Sequence, residues 1–106
     1  LYSGWCESGD HANSIKIDAS AFSGLSSSQI SNATLKITYS GGNIATWGVG
    51  IQVYTQNANV ELYPWTAAAY SGTAEISTGS NWSYALTNGI EIKGYNWIIT
   101  NVELVY

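Results

Sequence analysis

The stretch Ala45–Gln56, ATWGVGIQVYTQ, alternates with the period of a β-strand. One face carries Trp47, Val49, Ile51, Val53 and Thr55, the composition of a core face. The other carries Gly48, Gly50, Gln52, Tyr54 and Gln56 and should meet water. The two glycines remove side chains from that outer face. They leave a trough beside two amides and a phenol.

The same alternation recurs on either side. Ser14–Asp18 (SIKID) and Thr34–Thr38 (TLKIT) place Ile15, Ile17, Leu35 and Ile37 inward. Strands are expected near 1–6, 14–18, 33–39, 46–56, 60–64, 73–77, 82–87, 89–95 and 97–105, between clusters of Gly, Ser and Asn. Asn88-Gly89 and Gly41-Gly42-Asn43 are tight-turn signals. Ala19–Ile30 (ASAFSGLSSSQI) is the one candidate for a helical turn, expected as a loop whose Phe22 and Leu25 plug the core. The pattern predicts an all-β, antiparallel β-sandwich of about nine strands.

A chain of 106 residues suits one domain with a single core, so residues 1–106 are expected to form one module. Because Leu1 opens directly in an expected strand, that module is expected to be part of a longer protein. Charged residues are only 9 %, with three Lys, no Arg and a net charge of −4. Without a basic cluster, neither nucleic acid nor an anionic membrane is an expected partner. No apolar run approaches the length of a transmembrane helix. A polar yet uncharged surface fits a secreted, monomeric protein that handles neutral polymers. Five Trp and eight Tyr against one Phe favour rings with a polar handle, a bias that a core alone does not require.

Catalytic groups are sparse. One His and one Cys fall short of the three or four ligands of a zinc site, and Cys6 has no internal disulfide partner. No metal or other cofactor is therefore expected. Ser8-Gly-Asp-His11 reads as a polar turn rather than part of a triad. A glycosidase needs two carboxyls flanking a cleft, whereas most of the Asp and Glu residues here sit at outward strand positions. Glu91 and Lys93 read as a solvated edge pair. The chain is not expected to be an enzyme.

What remains is flat rings and amides on a β scaffold, the equipment for holding neutral sugars. A pyranose has an apolar C–H face for Trp and Tyr to cover and a rim of hydroxyls for Gln and Asn to pair with. The candidate ligand-binding residues are Trp5, Trp47, Gln52, Tyr54, Gln56 and Trp82, with Gly48 and Gly50 flooring the groove. Trp47 shares parity with Val49 and Ile51, and Trp82 with Tyr84 and Leu86, so each fits either core or ligand. Trp65 follows Pro64 in an expected loop, as plug or platform, and Trp97 sits beside Ile98 and Ile99 as an expected core ring.

Ile15–Leu25 (IKIDASAFSGL), Leu35–Tyr39 and Ile90–Tyr106 (IEIKGYNWIITNVELVY) resemble the small jelly-roll carbohydrate-binding modules of bacterial plant-cell-wall-degrading enzymes. The match runs in order over most of the chain. It implies a jelly roll, secretion, attachment to a glycoside hydrolase and binding to plant cell-wall polysaccharide. Relatives that bind β-1,4-glucans and xyloglucan pair a surface Trp with two Gln four residues apart on one strand, the spacing of Gln52 and Gln56. They often carry another Trp soon after the first strand, near the place of His11. The expected function is non-catalytic binding of neutral β-1,4-linked glucans, among them cellulose-type β-glucan and xyloglucan, with mannan at the margin of the class. The alternative is a structural or adhesive β-sandwich of a surface protein, with its Trp residues in the core.

Overall fold

The structure, a computed structural model, describes residues 1–43, 48–57 and 60–106. Trp47 thus lies outside the described residues. The alternating runs form β1 (Tyr2–Asp10), β2 (Ile15–Ile17), β3 (Thr34–Gly41), β4 (Val49–Thr55), β5 (Glu61–Ala68), β6 (Ser71–Ser77) and β7 (Ile90–Val105). All pairings are antiparallel and belong to one curled sheet. The outcome is the expected all-β sandwich, with seven strands among the described residues rather than about nine.

Two differences account for the count. The expected strands at 89–95 and 97–105 are one sixteen-residue strand, β7, bent in its middle. The segment expected as a strand at 82–87 folds instead as a 3₁₀ turn (Ser80–Tyr84) followed by α2 (Ala85–Asn88). Its buried residues Trp82 and Ala85 are three apart, the period of a helical turn rather than of a strand.

β7 organises everything else. Its first half, Ile90–Tyr95, pairs with β4 on one edge, and its second half, Trp97–Val105, pairs with β3 on the same edge. β2 and β1 follow one another along the opposite edge. β5 extends the β4 half and β6 the β3 half. Only Ala69 and Tyr70 separate these two outer strands along the chain.

The enclosed space is filled by one cluster that includes Ile15, Ile17, Leu35, Ile37, Val49, Ile51, Val53, Ile92, Trp97 and Ile99. Phe22 reaches it from a 3₁₀ turn (Ala19–Phe22), and Leu25 packs against it. The one-turn helix α1 (Ser27–Ser31) opens with a capping box. The Ser26 hydroxyl accepts from the Gln29 N–H at 3.1 Å, and the Ser26 N–H donates to Gln29 Oε1 at 2.9 Å.

The bend in β7 depends on Gly94, whose φ of +148° is open to few residues other than glycine. A Cβ there would also collide with the Gly50 carbonyl of β4. Gly94→Ala is therefore expected to cost about 1–3 kcal/mol from backbone strain alone, with steric displacement of β4 added. Gly24, with open space around it, is the control. Thermal denaturation should show a large fall in melting temperature for Gly94→Ala and almost none for Gly24→Ala. Equal effects would contradict the bend.

Candidate functional site

Inward residues of β4 and β7 alternate with a solvent face. On that face Gly50 pairs with Tyr95, Gln52 with Lys93 and Tyr54 with Glu91, while Lys16 of β2 lies across from Glu91. β5 adds Trp65 along its edge. The register between Ile51–Val53 and Tyr63–Thr66 is irregular and gives β5 one residue more than β4. Trp65 stands in that bulge. As the edge strand, β5 tolerates Pro64 within its length. The indole of Trp65 lies over Gly50, where any Cβ would strike its ring atoms. Trp65 nonetheless remains 47 % exposed. A ring laid across a glycine on the neighbouring strand holds an aromatic platform on the sheet surface.

Two hollows adjoin on this face. One, of about 350 Å³, is lined by Trp65, Tyr95, His11, Gly48, Val49 and the alanines of β5. The other, of about 720 Å³, is lined by Gln52, Lys93, Glu91, Lys16, His11 and the Ala12–Ser14 segment. The first is aromatic and apolar, the second polar. His11 belongs to both.

The polar hollow is internally ordered. Glu91 Oε2 accepts from the Ser14 hydroxyl at 2.6 Å, and Glu91 Oε1 lies 3.8 Å from the Lys93 ammonium. That ammonium also sits 5.0 Å from the centre of the Tyr54 ring. The Tyr54 hydroxyl donates to Glu61 Oε2 at 3.0 Å. This hydrogen bond, then desolvation and the Glu61 charge, holds the phenol above its ordinary ionisation range. Glu91 and Lys93 are thus a pair on the central strand, not on an edge. Gln52 faces the hollow with no hydrogen-bond partner among the described residues.

The six residues singled out from sequence separate. Gln52 and Tyr54 stand together on β4. Gln56 lies beyond the end of that strand, and its amide donates to the Ile17 carbonyl at 3.0 Å and to Asp18 Oδ1 at 3.2 Å. It braces β4 against β2. Trp82 is only 2 % exposed, and its indole N–H donates to the Leu62 carbonyl at 3.3 Å. A ring so enclosed has no face for a ligand and serves the core. Trp5 is 69 % exposed on β1, in an irregular register between Ser3 and Cys6. It lies beside the half of β7 that pairs with β3, away from Gln52. Gly50 floors Trp65 rather than an open groove.

Tyr95 and His11 were not among the sequence candidates, and Trp65, expected as plug or platform in a loop, was not assigned to the binding set and stands instead on strand β5. The signal for Trp65 was a mid-strand glycine at an outer position, which marks close approach by another group.

No protein-family model matches the chain, and no curated protein matches it. Among solved structures, the fold is similar to SGBP-B of the Bacteroides ovatus mixed-linkage glucan utilization locus, in complex with a mixed-linkage heptasaccharide. The TM-score is 0.74 at 18 % identity, over 98 % of this chain and 27 % of that one. This chain therefore spans about a quarter of the length of that protein, and the likeness establishes the fold.

The two glutamines should separate in a stability measurement. Gln56→Ala removes two hydrogen bonds, about 1–3 kcal/mol in net terms, or at least about 4 °C in melting temperature. Gln52→Ala should stay within about 0.5 kcal/mol of the native protein. Equal melting temperatures for the two variants would contradict the brace.

Proposed function

We propose that this domain is a non-catalytic carbohydrate-binding module for neutral β-glucans, part of a longer extracellular protein and monomeric in its action. The observation that carries the proposal is the half-exposed Trp65 laid over Gly50, with Tyr95 beside it and the unengaged Gln52 next along the sheet. The two rings suit the C–H face of a pyranose. Gln52 offers both a donor and an acceptor to its hydroxyls. The fold likeness to a protein solved with a mixed-linkage glucan supports the same reading.

The magnitudes are in keeping with it. Each stacked ring hides about 100 Å² of apolar surface, roughly 2.5 kcal/mol before the costs of association. Two such contacts and a few hydrogen bonds, less those costs, correspond to a Kd between micromolar and millimolar. Covering Gly50 takes only part of the Trp65 indole, which at 47 % exposure keeps ring surface open to a ligand.

Affinity electrophoresis in gels containing soluble mixed-linkage β-glucan, xyloglucan or no polysaccharide tests the proposal. The native domain should be retarded by at least one of the two glucans. Trp65→Ala should lose at least tenfold in affinity while keeping its far-ultraviolet circular dichroism, since the removed ring sits on an edge strand outside the core cluster. Migration unaffected by both glucans, or full retention by the folded variant, would refute it.

A further inference from the structure

We infer that His11 contacts the bound glycan and joins the two hollows into one continuous path, a role that rests on the glycan reading of this face. Three independent features of His11 carry the inference. The first is its backbone. His11 has φ of +59°, in the left-handed region that few residues with a side chain enter, His being among those that do. Nothing in the core compensates, because the side chain is 47 % exposed and its ring contacts are to Asp10 and Tyr95. The conformation is fixed from outside the ring, by the His11 N–H donating to the Gly94 carbonyl at 3.2 Å where β1 ends against the β7 bend.

The second feature is place. His11 is common to the lining of the aromatic hollow and of the polar hollow. Its ring lies 6.4 Å from that of Tyr95, tilted by 42°. A chain passing from Trp65 towards Gln52 crosses the imidazole.

The third feature is the state of the ring. Nδ1 lies 2.9 Å from Asp10 Oδ1. An ionised carboxylate only accepts, so Nδ1 carries a proton and Nε2 is the ring nitrogen left to meet a ligand, as an acceptor in the neutral ring and as a donor in the protonated one. Among the described residues Nε2 has no partner. A ring nitrogen left open at the junction of two hollows suits a sugar hydroxyl, which can donate to it or accept from it.

Two substitutions separate this role from a structural one. His11→Gly removes the imidazole and, at a positive φ, also removes the strain. His11→Asn keeps a residue that tolerates the left-handed region and retains a polar side chain at the junction. Calorimetric titration with the soluble glucan that retards the native domain, alongside melting temperatures, reads both effects. His11→Gly should melt no lower than the native protein and bind about five- to tenfold more weakly, and His11→Asn should recover part of the loss. Affinity of His11→Gly within twofold of native would overturn the inference while leaving the glycan reading intact if Trp65→Ala still fails to bind. A native domain that binds neither glucan overturns both.

Discussion

The whole arrangement depends on the bend at Gly94–Tyr95–Asn96. β7 must serve two halves of a curled sheet, and a straight strand of its length cannot follow both β4 and β3. Gly94 supplies the backbone freedom, and Asn96 holds the turn with a φ of +57°. The Asn96 amide donates to the Gly48 carbonyl at 2.8 Å, and its carbonyl accepts from the Gly42 N–H at 2.8 Å. One buried asparagine thereby ties the end of β3 to the start of β4. Its side chain could not be replaced by an apolar one without stranding the Gly48 carbonyl.

The bend also builds the candidate site. It turns Tyr95 to the solvent face between two inward residues, opposite Gly50, and so beside the indole of Trp65. The Gly94 carbonyl at the same bend receives the His11 N–H and the Ser8 hydroxyl, which fixes where β1 ends. Core and surface are set by the same three residues. The indoles divide accordingly: Trp82 and Trp97 fill the interior, while Trp65 and Trp5 remain open to solvent. The Trp97 N–H is buried with no acceptor among the described residues, a local cost accepted against the Gly94 backbone.

Much of the fold was legible because burial on one face imposes a period of two. Ile15, Ile17, Leu35, Ile37, Val49, Ile51 and Val53 all point inward as their alternation requires, and Phe22 plugs the core from its turn. The illegible parts are places where a longer-range contact overrides a local signal. Lys93–Trp97 resembles a break between strands, but its ladder continues through the bend. Trp82–Leu86 alternates like a strand, yet Trp82 and Ala85 are buried at helical spacing. In the site, Gln52 and Tyr54 followed from parity. Gln56 did not, because β4 ends at Thr55 and parity ceases to bind beyond a strand end. Trp65 was hidden by Pro64, which reads as a strand terminator although an edge strand accommodates it. Ser8–His11 was read as a polar turn, whereas Ser8, Gly9 and Asp10 continue β1 and only His11 bends away from it. Only the folded chain shows that His11 lines both hollows.

Nuclear magnetic resonance titration of the ¹⁵N-labelled domain with a soluble β-glucan heptasaccharide examines the surface directly. The indole N–H of Trp65, the side-chain amide of Gln52 and the backbone N–H groups of His11 and Tyr95 should shift together, saturating with one Kd. The indole N–H signals of Trp5 and Trp82 should stay in place. Shifts centred on Trp5 and the β3–β6 half of the sheet, with Trp65 silent, would contradict the assignment of the binding face.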